Sequence, residues 1–578
     1  MRSLTAALAV AATLLSAPGS AEPQPPPPPP MPPGMIAGQA PPRDNASAKP
    51  GTAVIRGRVL AADTGQPLRK VFIRAGSQEP REGRVATTDV DGHYELKELP
   101  AGRYTLNASK GSFVSLAYGQ LRPFEPGKPI EIADGQILEK VDFSLPRGAI
   151  ITGRIVDEFG EPVADAQVAP MRFVNQGGRR RLQPSGRMSM TNDIGEYRIF
   201  GLPPGQYYVS ASLRAGMGMG VMINAQSDDR SGYAPTYYPG TMNSAEAAKL
   251  TLGIGQTLND INVTLIPTRV ATVTGTVVDT QGRPLSGGMV MVVQRQGTNG
   301  FSMNSGGMVR PDGSFTVNGL APGDYTLQAN GMPAAGGFDT AEFATADITV
   351  TGDDITGLRL ASMRSSSVTG RIVFTDAQAA AALRPAAIRI ATTARNPEEF
   401  SPFAGGPGRI NDDFTFEIKA RPAKVLVRAN ATTGGWTMKA VRLNGQDVTD
   451  TGIEIRSNED LSGLEVEMTN KLTELSGLVT NARGEGVKDY SLIIFARDRE
   501  RWVPNSRFIR TGRPDQDGRF KVTGLPAGAY YAIALEYIDP ADDTSDPDFL
   551  DRLRDKAGTV SLGDGETRAI DLKLTTAS

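Results

Sequence analysis

The chain has 578 residues, among them 65 Gly and 42 Pro, with no Cys and a single His. That length holds several cores of ordinary size, and the Gly and Pro content suits many short strands joined by tight turns better than helices. Lys and Arg number 61 against 63 Asp and Glu, a formal net charge of -2, so the overall charge points to no nucleic-acid or other polyion partner, and the lack of Cys excludes disulfides and a lipid-modified Cys anchor.

In chain order the first element is a secretory signal peptide over residues 1–21. Met1-Arg2 is followed by an apolar run over 4–15 and the small-residue exit Gly19-Ser20-Ala21, with cleavage expected after Ala21. A Pro-rich disordered linker occupies 22–50; its segment 23–33 is all proline except Gln24 and Met31, a composition that favours an extended spacer. No later stretch approaches the ~18 consecutive apolar residues of a membrane span. The expected location is therefore secreted, periplasmic or extracellular.

From residue 51 onward one pattern recurs five times with a period of about one hundred residues, too long for a solenoid and suited to whole small domains. Each unit opens on an apolar-x-Gly-x-apolar strand: Ile55-Arg56-Gly57-Arg58-Val59, Ile151-Thr152-Gly153-Arg154-Ile155, Val273-Thr274-Gly275-Thr276-Val277, Val368-Thr369-Gly370-Arg371-Ile372 and Leu475-Ser476-Gly477-Leu478-Val479. Gly weakens a strand interior, so its recurrence predicts a bulge or another backbone packed closely across it. Asp91-Gly92, Asp312-Gly313 and Asp517-Gly518 then mark tight hairpins. Next comes a corner: Leu99-Pro100-Ala101-Gly102-Arg103-Tyr104, Leu202-Pro203-Pro204-Gly205-Gln206-Tyr207, Leu320-Ala321-Pro322-Gly323-Asp324-Tyr325 and Leu525-Pro526-Ala527-Gly528-Ala529-Tyr530. Most units end on one more alternating strand, as in Val141-Asp142-Phe143-Ser144-Leu145.

The fourth unit departs. Its hairpin reads Asn411-Asp412-Asp413-Phe414, with Asp412 expected in the place of Gly, and its corner is degraded to Arg421-Pro422-Ala423-Lys424. Helix is expected only in insertions at 244–250 and 546–556, the second capped by Asp546 with Pro547 in the first turn. Alternating strands with turn signals roughly every ten residues predict an all-β fold of five tandem antiparallel β-sandwich domains.

With these residues in place, the units resemble carboxypeptidase regulatory-like domains, a transthyretin-like, carbohydrate-binding-like group of β-sandwiches. The resemblance covers most of 50–578 and is strongest in repeats one, two, three and five. It implies the sandwich fold and an accessory role, since the matching residues are core and turn positions. The zinc ligands of the enzymes that carry such domains are missing, because His93 is the only His. The B-type repeats of bacterial adhesins are a second neighbour; their cross-linking Lys is replaced here by Arg, Thr or Ser in the opening strands.

Other candidate chemistry is thin. Asp89-x-Asp91 and Asp515-x-Asp517 offer paired carboxylates that hold calcium in some proteins, but Asp at a hairpin more simply braces its own turn. Met217, Met219 and Met222 have a spacing that suits Cu(I), without His or Cys support, and Gly177-Gly178-Arg179-Arg180-Arg181 reads as a solvated loop. One His and no Cys remove the common nucleophile and metal constellations. The better candidates for ligand binding are aromatic: Tyr233, Tyr237 and Tyr238 in the insertion of repeat two, Trp436 in repeat four and Trp502 in repeat five. Rings beside polar side chains form stacking platforms for sugars.

The expected domains are 51–147, 148–268, 269–362, 363–470 and 471–578, joined by short linkers into a semi-rigid rod. The expected function is non-catalytic binding of a carbohydrate or envelope polymer, with no cofactor, catalytic residue or metal. The alternative is a structural stalk or protein-interaction scaffold with no small ligand, and a third reading is an enzyme with an unrecognised acidic site.

Overall fold

The glycine in each opening strand decides how the repeat closes. In the computed structural model, which describes residues 51–77, 83–176, 179–213, 231–294, 305–331, 342–395, 408–432 and 435–576, the opening strands are Ala53–Ala61, Ala149–Val156, Ala271–Val278, Ser366–Phe374 and Glu474–Thr480. Each pairs antiparallel with the hairpin strand, and its Gly faces an aromatic residue: Tyr94, Tyr197, Phe315, Phe416 or Phe520. On its other side runs the closing strand, parallel to it. A Cβ on the Gly would come within 1.7 to 2.1 Å of a carbonyl oxygen there, that of Val141, Ile261, Leu358, Leu464 or Ile570. No other residue leaves room for that crossing, which accounts for the recurrence.

The architecture is all-β, with sheets of mostly antiparallel strands packed face to face on apolar cores. The fully buried side chains form one principal core per repeat, over 53–145, 149–265, 271–360, 368–468 and 475–572. In repeats four and five the closing strands, Leu461–Thr469 and Leu572–Thr575, bridge the two layers.

The corner motif has a single mechanical purpose. Tyr104, Tyr207, Tyr325 and Tyr530 are buried, and each hydroxyl donates back four residues, to the carbonyl of Pro100, Pro203, Ala321 or Pro526, at 2.9, 2.9, 2.8 and 2.6 Å. The ring fills the core while its polar end ties the turn. In repeat four, Val425 stands in the place of the Tyr and Arg421 in that of the corner Pro. Arg421 turns to repeat three instead, donating to Asn330 Oδ1 at 2.6 Å and lying 4.4 Å over the Phe343 ring.

Three expectations need correction. In the hairpin of repeat four, Phe414 rather than Asp412 occupies the left-handed position, with φ +63°. The ring compensates for that strain by packing edge-on against Phe374 at 4.9 Å, and Phe374 in turn meets Trp436 at 5.1 Å. Residues 244–250 form no helix: Asn243 caps a single turn at Ala245 and Glu246, and Leu250 is already paired with Tyr207. The helix Pro547–Arg554, capped by Asp546, does form and covers a second small core in repeat five.

The third correction concerns the rod, because repeat five returns to repeat one. Arg513, buried in repeat five, pairs with the buried Glu125 of repeat one and with Asp489. Gln516 exchanges two hydrogen bonds with the backbone of Glu131, at 3.1 and 3.0 Å. Lys128 Nζ donates to the Lys488 carbonyl at 2.6 Å, and Arg103 to that of Lys521 at 2.7 Å. Short linkers restrict how far neighbouring repeats separate but leave their angle open, and side-chain complementarity at the far ends decides it.

Candidate functional site

Most polar residues of the repeated motifs are consumed by the fold. Asp89 Oδ1 accepts from the amides of Asp91 and His93 at 3.0 and 2.8 Å, and Asp515 Oδ1 from those of Asp517 and Arg519, both at 2.9 Å. Asn192 does the same for Ile194 and Glu196. These are Asx turns, in which the side chain completes the hairpin. Among the described residues no three His, Cys, Asp or Glu side chains gather in a metal-holding group. The Met217, Met219 and Met222 spacing, the Gly177-Gly178 pair, the signal peptide and the Pro-rich linker lie outside the described residues.

The five aromatic candidates separate into three settings. Tyr233 and Tyr238 are half-buried and both pack on the core of repeat two; the Tyr233 hydroxyl donates to Glu158 Oε2 at 2.8 Å. Tyr237, next in chain to Tyr238, points to the opposite face and is buried with Ala169, Met171 and Leu182. Trp436 and Trp502 are buried in repeats four and five, 7% and 3% exposed, so their ring faces are covered. Trp502 packs edge-on to Phe495 at 5.4 Å and donates its indole N–H to the Ala496 carbonyl at 2.7 Å.

Trp502 thereby anchors the loop 497–508, and beside that loop lies a groove of about 430 Å³. Its floor is the corner Ala527-Gly528-Ala529, and its walls carry Arg497, Asp498, Arg501, Phe508 and Tyr531. Ala529 stands there in the place of the Arg103, Gln206 and Asp324 of the other corners, so no long side chain projects from that position. Arg501 lies 4.1 Å over Phe508 and is held by Asp498 at 3.0 Å; Arg497 lies 5.7 Å from the Tyr531 ring centre. Sequence reasoning passed over these arginines because their neighbour Trp502 was the more conspicuous residue. The signal lay in Ala529, the one small residue at a corner position that is Arg, Gln or Asp in the other tyrosine corners.

Residues 54–146 and 272–361 match the model of the carboxypeptidase regulatory-like domain. Two separate stretches of the chain thus match the carboxypeptidase regulatory-like domain. The matched stretches are repeats one and three, and the regulatory-like features they share with two and five are the glycine crossing and the tyrosine corner. No curated protein matches the chain. Among solved structures, a streptococcal ancillary pilin is 14% identical with a TM-score of 0.19, covering 54% of this chain and 98% of its own. The minor pilin of Streptococcus agalactiae is 12% identical with a TM-score of 0.21, covering 38% and 98%. Two B repeats of the collagen binding protein of Staphylococcus aureus are 12% identical with a TM-score of 0.14, covering 68% and 94%. Among the described residues no helix is long and apolar enough to cross a membrane.

Proposed function

We propose that this chain is an exported, non-catalytic binding protein built of five β-sandwich domains, with limits near 51–147, 148–268, 269–362, 363–470 and 471–578, whose ligand is a carbohydrate or envelope polymer. The observation that carries this reading is the use of the repeated motif residues as core, turn and crossing elements, which leaves the variable loops for recognition. The regulatory-like domains support an accessory rather than a catalytic role. Of the aromatic candidates, Tyr233 and Tyr238 keep ring surface at the face of repeat two, whereas Tyr237, Trp436 and Trp502 act by holding their loops. A glycan array probed with the full chain tests this: binding weakened by Tyr238→Ala or Tyr233→Ala supports the reading, and no binding, or binding indifferent to both, overturns it.

The second reading, a protein-interaction scaffold with no small ligand, is favoured by the contacts of repeat five with repeat one, which rigidify the array. Export is tested at the mature N-terminus, expected at Glu22 by mass spectrometry of the secreted or periplasmic fraction.

A further inference from the structure

The loop 497–508 and the strands beneath it gather positive charge that the fold does not balance. Arg507 forks onto Asp450, at 2.9 and 3.0 Å. Arg428 and Arg510, both half-buried beside it, find only neutral carbonyl partners: Thr449 O at 2.9 Å for the first and Ile509 O at 3.0 Å for the second. Burial, and then the proximity of Arg507 and Arg510, holds the Arg428 guanidinium below its ordinary range although Asp450 opposes the shift. Three guanidiniums thus meet two carboxylates, Asp450 and Asp447, the second also under the charge of Arg507. Arg501 and Arg497 extend this field to the groove, and Arg497 is exposed with no carboxylate partner among the described residues.

We propose that this groove is an oxyanion site that holds the carboxylate or sulfate of an acidic sugar unit, gripped by Arg497 and Arg501 above the small floor of Ala527, Gly528 and Ala529. Four features of the groove converge on it. The space is present, and of the two arginines that wall it Arg501 is paired with Asp498 while Arg497 has no carboxylate partner among the described residues. Aromatic faces behind them, Tyr531 and Phe508, restrict where the planar groups lie, which reduces the ordering cost of a fork onto an oxyanion. The loop that carries them is pinned by Trp502. The surplus of positive charge raises the local concentration of an anion on a chain whose net charge is slightly negative.

The inference rests on the carbohydrate-binding reading and names its ligand class. The test is calorimetry on the full chain with a galacturonic acid oligomer, its methyl ester and inorganic sulfate as probes. The acid oligomer is expected to bind, more weakly as salt rises, with affinity about tenfold lower or less in Arg497→Ala and in Arg501→Ala, and partly kept in Arg497→Lys. Arg497 is exposed, so its loss leaves the fold intact. Methyl ester binding equal to that of the acid, binding of the acid that ignores both arginine substitutions, or no binding of any probe overturns the proposal. Arginine-dependent binding of sulfate without the oligomer upholds an oxyanion site but overturns the sugar assignment. Neutral glycans captured through Tyr233 or Tyr238, with the groove silent, leave the broader reading standing and overturn this one.

Discussion

Replacing Gly153 by Ala tests the claim that the glycines exist to let the closing strand cross. The new Cβ would sit 2.1 Å from the Ile261 oxygen and 2.5 Å from its carbonyl carbon, so that strand must retreat by roughly 1.3 Å to ordinary contact. Three hydrogen bonds depend on its present place: Ile261 N to Thr152 O at 3.0 Å, the Tyr197 hydroxyl to Ile261 O at 2.6 Å, and Arg154 N to Asn262 Oδ1 at 2.8 Å. At about 1 kcal/mol net each, their loss costs about 3 kcal/mol, the same scale as overpacking a core. Tyr197→Phe removes one of the three and costs about 1 kcal/mol. Hydrogen exchange read by mass spectrometry suits a chain with several cores, because each repeat reports separately. Protection of 149–156 is expected to fall about a hundredfold in Gly153→Ala while 271–278 stays as in the parent. Unchanged protection of 149–156, or a loss no larger than that of Tyr197→Phe, would refute the crossing argument.

The remaining predictions follow from the corners, the contact of the first and last repeats, and the buried Trp. Burial pushes the Tyr325 and Tyr530 phenols from 10.0 up to about 12; a raised folded value means their contribution is whole below pH 10.0 and is lost as pH climbs through about 12. Tyr530→Phe should flatten that alkaline loss for repeat five in a circular-dichroism titration, and an identical profile argues against it. Glu125→Gln removes the repeat-one partner of Arg513, which keeps Asp489, so the cost falls below the ~3–5 kcal/mol of a buried charge left alone. Small-angle scattering should then report a larger radius of gyration, and no change means the two repeats are held by other contacts. Trp436→Ala empties a core site between Phe374 and its neighbours and should cost about 3–5 kcal/mol by denaturant titration of repeat four. A stable variant would return Trp436 to the list of ligand platforms.

What was legible in the sequence was whatever the backbone itself demands. The Asx turns and the tyrosine corners rest on hydrogen bonds that reach two to four residues, so residue type and spacing were enough, and the five crossings, which join strands far apart in the chain, showed only through the recurrence of the Gly that permits them. The Pro547–Arg554 helix belongs to the same group, because its cap and its first-turn proline are neighbours in the chain. The left-handed position of Phe414 is not legible in its own turn, because the contact that compensates it is with Phe374, forty residues away in sequence. Trp502 looked like a platform for the same reason: a large ring in a loop is recognisable from sequence, but which of its faces is covered depends on Phe495 and a helix some fifty residues further on. The contact of Arg513 with Glu125 and the Arg497–Arg501 groove join residues by charge and shape across separate elements, which no local rule encodes. The sequence by itself determined the scaffold of this protein, while only tertiary packing decided which side chains are left facing outward to bind.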